Sequence, residues 1–304
     1  MTQTALHISQ QANRPRPKPV RLAQVDLSAW LLASPLIFVL LFFLVLPILT
    51  IVVVSFWRAT EFSIIPAFVL ENYAFHVGSP VTYDVFLNTF LYAGITWALT
   101  LVIGFTVAYF LAFHVRTLTW QIILFLLCTI PFWTSNIIRM ISWIPFLGRN
   151  GIANTTLIQM GVIDEPVEWL LFSDFAVILA FVHLYTLFMV VPIFNTMMRI
   201  DRSLIEAARD CGASGWQILL NVILPLCKPG IMIGTIFVVT LVMGDFITVR
   251  FMSGSQSANV GRLIQNDIAL LQYPSASAMA VVLLITVLLT IGILLRFVDI
   301  RKEL

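Results

Sequence analysis

Few residues of this 304-residue chain have the types and spacing that catalysis requires. The series Gly212-Ala213-Ser214-Gly215 could present a serine nucleophile, with His183 as its candidate base. The serine lies in a polar segment, however, whereas the histidine lies in a separate apolar run without a matching motif. No His-Glu-x-x-His series and no pair of aspartates within an apolar run occurs. We therefore expect no enzymatic activity.

ATP hydrolysis and metal binding are not expected of this chain either. A phosphate-binding loop for ATP ends in Gly-Lys-Ser/Thr. The lysines instead stand in Pro17-Lys18, Cys227-Lys228 and Arg301-Lys302. The cysteines are Cys128, Cys211 and Cys227. Their spacing fits neither a metal site nor a disulfide framework, so we predict free thiols and no metal or cofactor in this chain.

Two charged residues, Asp245 and Arg139, stand inside apolar runs. A charge at the centre of a membrane helix costs about 3 kcal/mol, so each must have a structural or functional role. Asp245 follows Lys228 by 17 residues, or about 25 Å of helix. Arg139 follows Trp120 by 19 residues, or about 28 Å. This spacing predicts a similar depth for both charges.

Two interpretations of Asp245 remain open. It is an anionic anchor for a cationic solute, or it forms a structural ion pair with Arg139. We favour the pair, because an unpaired arginine in a membrane would also be costly. Aromatic residues on the same run as Arg139 could line a solute path by cation–π contact, although packing or lipid contact is favoured for them. They are Phe132, Trp133 and Trp143.

The polar segment 199–228, which lies between two apolar runs, has signals for two short helices. Ser203 and Glu206 have the spacing of a capping box, which predicts a helix beginning there. Gly212 can adopt the left-handed conformation that ends a helix. Residues 214–217 repeat the capping-box spacing and begin a second helix, which is predicted to end before Pro225.

The composition indicates that membrane-spanning helices position these residues. Hydrophobic residues make up 60% of the chain and charged residues 11%, against about 25% charge in soluble proteins. Crossing about 30 Å of hydrocarbon takes about 20 residues. The apolar segments of that length are residues 30–56, 86–112, 120–144, 175–198, 229–250 and 276–297. Prolines expected to kink them are Pro35, Pro47, Pro131 and Pro192.

The distribution of basic residues predicts the orientation. Residues 1–26, rich in proline and basic residues, are predicted to be a disordered cytoplasmic tail, and residues 27–304 the transmembrane domain. An even number of spans puts both termini on one side, and a cytoplasmic placement agrees with the positive-inside rule. The basic residues then inside are Arg14, Arg16, Lys18, Arg21, Arg116, Arg199, Arg202, Arg209, Lys228, Arg296, Arg301 and Lys302. Those in the outer half are Arg58, Arg139, Arg149, Arg250 and Arg262.

The polar segment 199–228 also resembles a family signature. Glu206-Ala207-Ala208, Gly212, Val222 and Leu224-Pro225 stand at the spacing of the EAA loop of binding-protein-dependent ABC importer permeases. Val222 replaces the usual isoleucine, a mild departure. The resemblance implies a coupling loop that docks on a cytoplasmic ATPase. The residues it assigns to this coupling are Ser203, Glu206, Ala207, Ala208, Arg209, Asp210, Gly212, Leu224 and Pro225.

Looser similarities point to the spermidine/putrescine-type branch of that family. They are Asn88-Thr89, the series 148–151, Leu224-Pro225 with Pro229-Gly230, and Gly244-Asp245-Phe246. This resemblance implies polyamine import, with another small organic solute or iron as the alternative cargo. An autonomous secondary transporter is the alternative mechanism, but such carriers usually expose several ionisable groups along their path.

The resemblance implies an all-α, six-span permease of the type I ABC importer fold in the bacterial inner membrane. It implies a second permease, identical or related, and two ATP-binding subunits that hold the ATP and Mg²⁺. A periplasmic solute-binding protein would deliver the solute to the outer loops. We expect no nucleic-acid partner.

Overall fold

The computed structural model describes residues 27–60, 63–115 and 117–296. The predicted tail of residues 1–26 lies outside this part of the chain. The chain divides into two compact units, residues 1–50 and 51–304, and each is described by itself. Helices dominate the described residues, in agreement with the predicted all-α class.

The first apolar run forms helix α1, Leu27–Leu40, and helix α2, Leu46–Val54. A wider π-helical turn, Leu41–Val45, joins them. Pro47 accounts for the wider turn, because it has no N–H group to bond the carbonyl four residues earlier. The segment Leu32–Val54 is long and apolar enough to cross a membrane.

A short β-ribbon departs from the all-helical pattern. Strand β1, Arg58–Ala59, pairs antiparallel with strand β2, Ile64–Ile65. Helix α3, Glu71–Gly78, follows, and the Glu71 carboxylate forms an ion pair with the Arg58 guanidinium. Both side chains are exposed, so this pair contributes little to stability.

The other helices are α4, Pro80–Tyr109; α5, Leu118–Thr129; α6, Asn136–Leu147; α7, Ile152–Gln159; α8, Asp174–Met197; α9, Arg202–Asp210; α10, Gly215–Ile218; α11, Leu224–Leu226; α12, Lys228–Gly244; α13, Phe246–Met252; α14, Val260–Ala269; and α15, Tyr273–Arg296. A π-helical turn, Phe110–His114, extends α4, and a 3₁₀ turn, Glu168–Leu170, precedes α8.

Six spans result if each of two bent helix pairs is taken as one span. The segments that qualify without such a break are Leu32–Val54, Pro80–His114, Glu168–Met197 and Tyr273–Arg296. The bent pairs are Leu118–Trp133 with Asn136–Gln159, and Gly215–Leu226 with Lys228–Gly244.

The predicted third span, residues 120–144, is not one kinked helix. The chain turns by 87° between Leu118–Trp133 and Asn136–Gln159. Pro131 lies in a 3₁₀ turn, Ile130–Trp133, and the next two residues are extended, which breaks the helix completely. Arg139 and Asp245 were predicted to lie at a similar depth in the membrane by counting residues along a straight helix. Because this helix is broken, the count no longer gives the depth of Arg139.

The predicted fifth span, residues 229–250, is also interrupted. Helix α12 ends at Gly244, and Asp245 is extended, with φ −84° and ψ 104°. Helix α13 then begins at Phe246, with Asp245 as its N-cap. The acidic residue therefore lies at a break between two helices rather than on the face of one.

The centre of the residue 51–304 unit is helix α8, which packs against α4 and α12. Glycines allow the close approach at both contacts. A Cβ atom on Gly104 would lie 2.9 Å from the Met189 Cγ, and one on Gly234 would lie 2.6 Å from the Met189 Sδ. A Cβ atom on Gly230 would lie 2.6 Å from the Pro192 carbonyl oxygen. Small residues at helix crossings are typical of packing within membranes.

The series 148–151 forms a tight turn after α6. A Cβ atom on Gly151 would lie 2.7 Å from the carbonyl oxygen of Phe146, so the turn requires glycine there. The fully buried Asn154 amide donates to the carbonyl oxygens of Gly148 and Val167, both at 3.1 Å, and accepts from the Val167 N–H at 2.9 Å. This loop is therefore built from internal bonds.

Candidate functional site

The segment that resembles the EAA loop folds as a helical elbow, residues 201–226, formed by α9, a turn at Gly212, α10 and α11. The prediction that Ser203 caps the first helix is wrong. The N-cap is Asp201, whose carboxylate accepts the Ser203 N–H at 3.0 Å. Hydrogen bonding from Ser203 holds the pKa of the Asp201 carboxyl below its ordinary value. A carboxylate at this position also complements the helix dipole.

The turn of the elbow depends on Gly212, as predicted. Its φ is +82°, in the left-handed region. The Gly212 N–H donates to the Arg209 carbonyl at 2.8 Å, and the Ala213 N–H reaches back to the Ala208 carbonyl at 3.0 Å. These bonds satisfy the last carbonyls of α9 and fix the angle at which the chain leaves it.

The second half of the elbow begins with the predicted capping box. The Gln217 N–H donates to the Ser214 Oγ at 3.4 Å, and the Ser214 N–H donates to the Gln217 Oε1 at 2.8 Å. The prediction that this helix ends before Pro225 is wrong. The chain passes through a π-helical turn, Leu219–Ile223, and remains helical to Leu226, because the wider turn accommodates the proline.

The elbow has one buried and one exposed side. Ile218 and Ile223 are 4% and 2% exposed and pack in the main apolar core of the unit. Glu206, Arg209 and Asp210 are exposed. Apolar residues on the exposed side are Leu204, 48% exposed, and Trp216, 68% exposed. The elbow is thus anchored to the helices on one side and presents charges and apolar groups on the other, which suits a docking element.

A second polar site surrounds Asp245 at the break between α12 and α13. The Tyr185 hydroxyl donates to the Asp245 Oδ2 at 2.6 Å. The Thr248 hydroxyl donates to the same oxygen at 2.6 Å, and the Thr248 N–H donates to Oδ1 at 3.0 Å. The Asn259 amide donates to the Asp245 carbonyl at 2.8 Å. Hydrogen bonds from the protein therefore replace water around the carboxylate, which offsets the free-energy cost of burying its charge.

Arg139 does not form the predicted ion pair with Asp245. The ion pairs among the described residues lie elsewhere, in Arg58–Glu71 and Arg149–Glu168, and the His76 Nε2 lies 3.9 Å from the Asp267 Oδ2. The Arg139 side chain is buried and donates from Nη2 to the Asn136 Oδ1. Its Nε and Nη1 atoms are buried without a hydrogen-bond partner in the described structure. Its guanidinium carbon lies 5.5 Å from the Phe132 ring centroid.

A cavity of about 300 Å³ lies beside the 3₁₀ turn that ends α5. Its walls are Val107, Cys128, Pro131, Phe132, His183, Thr186, Leu187 and Val190. The Trp143 N–H donates to the His183 Nδ1 at 3.0 Å, outside any serine nucleophile arrangement. Trp133 is 87% exposed, in keeping with lipid contact rather than with packing inside this chain.

No group of side chains that could hold a metal ion occurs among residues 27–60, 63–115 and 117–296. The cysteines in this part of the chain are free thiols, as predicted. Cys211, next to the glycine turn, is exposed, whereas Cys227 is buried.

Residues 101–302 match the family described as binding-protein-dependent transport system inner membrane component, and the chain belongs to that family. It is therefore a permease subunit of an ABC importer in the inner membrane, not an enzyme, and ATP hydrolysis belongs to a separate subunit. This confirms the class inferred from the EAA-like loop.

Among its relatives is the spermidine/putrescine transport system permease protein PotB of Haemophilus influenzae, 33% identical over 261 residues, which cover 84% of this chain and 89% of the relative. PotB of Escherichia coli is 36% identical over 230 residues, covering 74% of this chain and 81% of the relative. A chain of a bacterial alginate ABC transporter has the same fold, with a TM-score of 0.70 at 14% identity, over 91% of this chain and 96% of that chain.

Sequence reasoning missed Tyr185, Thr248 and Asn259, which surround Asp245. The Asp245-x-x-Thr248 spacing is an N-cap signal that could have revealed the break in the fifth span. Nothing in the sequence pairs Tyr185 with Asp245, because they are 60 residues apart.

Proposed function

We propose that this chain forms part of the translocation path of an ATP-driven importer for a polyamine of the spermidine/putrescine type. The cargo is inferred from its relatives, spermidine/putrescine permeases that are more than 30% identical over most of the chain. Another small organic solute or iron is the alternative cargo. The observation that carries the mechanism is the exposed elbow with its fixed glycine turn.

Coupling to ATP is proposed to occur through the elbow. Two ATP-binding subunits, which hold ATP and Mg²⁺, would dock on its exposed side. Closure of those subunits would push on the elbow and tilt the helices anchored to it. The residues proposed for this coupling are Ser203, Glu206, Ala207, Ala208, Arg209, Asp210, Gly212, Leu224 and Pro225. Leu224 and Pro225 are half-buried and would transmit the push to α12.

The proposed assembly also contains a second permease, identical or related, and a periplasmic binding protein. Six spans with both termini in the cytoplasm would place the elbow on the ATPase side. The loop of residues 145–173 would face the binding protein. Its internal bonds, centred on Asn154, make it a rigid surface for such a contact.

Polyamine uptake by the reconstituted transporter tests the proposed function. Proteoliposomes are prepared with this chain, its sister permease, the ATPase and the binding protein. They should accumulate radiolabelled spermidine or putrescine only when ATP is supplied on the side of the membrane that carries the ATPase. A matched preparation without the binding protein should show at least tenfold slower uptake.

Uptake by this chain alone without ATP would support a secondary transporter instead. ATP-dependent uptake of another solute, with none of either polyamine, would contradict the proposed cargo and leave the mechanism standing.

A further inference from the structure

Arg139 and Asp245 carry opposite charges on adjoining elements without bonding each other. Helix α6, which carries Arg139, packs against α13, which Asp245 caps. Two nitrogens of the buried guanidinium, Nε and Nη1, have no hydrogen-bond partner in the described structure. Buried donors without partners are costly, so an arrangement that gives them an acceptor is favoured.

The Tyr185 hydroxyl takes an acceptor position on Asp245 that the Arg139 guanidinium could otherwise use. A carboxylate has about four acceptor positions on its two oxygens. Tyr185 and Thr248 take those on the Asp245 Oδ2, and the Thr248 N–H takes one on Oδ1. The Phe188 ring packs against both Tyr185 and Phe132, at centroid distances of 6.2 and 5.0 Å, and the Arg139 guanidinium lies over Phe132.

The backbone at Asp245 is suited to rearrangement. It is a single extended residue between α12 and α13, and its neighbour Gly244 has no atom within 4 Å of the place where a Cβ would lie. Asp245 itself is half-buried. A change of angle at this break would move α13 relative to α6, and it would require α13 to repack its own contact with α8.

We propose that Tyr185 is a positioning residue that holds the Asp245 carboxylate away from Arg139, and that the two charges pair directly when the α12–α13 break changes angle during transport. The pair expected from the sequence would then belong to another conformation of the same protein. This proposal rests on the proposed function as a transporter that alternates between conformations, but not on the identity of its cargo.

The test measures the two conformations directly. Spin labels are placed at Asn150→Cys after α6 and Gln256→Cys after α13, both exposed positions, in a background without the native cysteines. Distance distributions between the labels in the assembled transporter give the ratio of the two populations. Tyr185→Phe removes the hydroxyl and keeps the ring. Tyr185→Phe should lower the population of the conformation described here about tenfold relative to the other. That change is the one expected from losing one hydrogen bond to a charged group.

Arg139→Gln provides the decisive comparison. The shift caused by Tyr185→Phe should vanish in the Arg139→Gln background, because no cation remains to take the freed carboxylate. Arg139→Lys, which retains the charge, should restore part of the shift. Arg139→Met, which is also uncharged, replaces the glutamine variant if that variant does not assemble. A purely structural tyrosine would lower the melting temperature without moving the ratio.

An unchanged ratio in Tyr185→Phe, or an equal shift with and without Arg139, would overturn the proposal. The measurement needs ATP but no solute. Absence of polyamine uptake by the wild-type transporter would therefore contradict the proposed cargo alone, and the outcome for Tyr185 would still be decided.

Discussion

Replacing Gly212 by valine is expected to abolish solute uptake by the assembled transporter while the chain still inserts in the membrane. Gly212 has φ +82°, and a side chain in this region costs about 1–2 kcal/mol, more for a β-branched residue. The elbow would relieve this strain by changing the angle between α9 and α10. Because that angle presents the proposed docking side, closure of the ATPase subunits would no longer push on the helices.

The chain offers a matched control three residues away. Gly212 and Gly215 both have open space where a Cβ would lie, but only Gly212 has a positive φ. Gly215→Ala should therefore leave uptake within twofold of the wild-type rate, and Gly212→Ala should reduce it about fivefold or more, following the local strain. Gly212→Asn should retain most uptake, because asparagine tolerates the left-handed region.

Uptake and ATP hydrolysis should be measured in the same proteoliposomes. The expected signature of Gly212→Val is hydrolysis without uptake, since the ATPase sites lie in other subunits. Normal uptake by Gly212→Val would contradict the role of the turn. An equal loss of uptake in Gly212→Ala and Gly215→Ala would show that the substitutions act through side-chain bulk rather than through backbone conformation.

The second large effect is expected at Gly230, where α12 crosses α8. An alanine Cβ there would lie 2.5 Å from the Thr196 Oγ1 and 2.6 Å from the Pro192 carbonyl oxygen. The backbone oxygen cannot move aside as a flexible side chain can, so the two helices must separate. Overpacking of this kind costs about 1–3 kcal/mol. Gly230→Ala should lower the melting temperature of the purified chain by several degrees, and Gly230→Val should prevent its assembly.

Gly94→Ala is the control for this prediction. Gly94 also lies inside a helix, α4, and no atom lies within 4 Å of its Cβ position. Alanine should be neutral or slightly stabilising there, because it has the higher helix propensity. Melting temperatures from a thiol-reactive or tryptophan fluorescence assay in detergent give the comparison. A Gly230→Ala variant as stable as Gly94→Ala would show that the crossing is looser than the structure indicates.

The helices were predictable from the sequence where one apolar run makes one uninterrupted helix. The fourth and sixth spans, predicted at 175–198 and 276–297, are found as Asp174–Met197 and Tyr273–Arg296. Length and hydropathy define such helices because the bilayer leaves each backbone group only its own helix for a partner. The glycine turn at Gly212 was predictable for a similar reason, since few other residues adopt its conformation.

The helix breaks were not predictable from hydropathy. Hydropathy averaged over a span does not mark either break. The local signals are the polar run Thr134-Ser135-Asn136 and the N-cap spacing Asp245-x-x-Thr248. At Asp245 the carboxylate is held by Tyr185, 60 residues away, and the backbone carbonyl by Asn259, 14 residues away. The helix start predicted at Ser203 is wrong because two capping residues compete, and Asp201 begins the helix earlier. Tertiary partners decide such details.

Protection of Cys211 by the ATPase subunit tests the proposed coupling most directly. Cys211 is exposed within the elbow, whereas Cys227 is buried and Cys128 is half-buried. A membrane-impermeant maleimide should label Cys211 in inside-out vesicles and not in intact cells. Adding the ATPase subunits should slow that labelling at least tenfold, and a Cys211→Ser variant should give no comparable signal. Labelling from the outer face, or an unchanged rate in the assembled complex, would contradict the docking of an ATPase on the elbow.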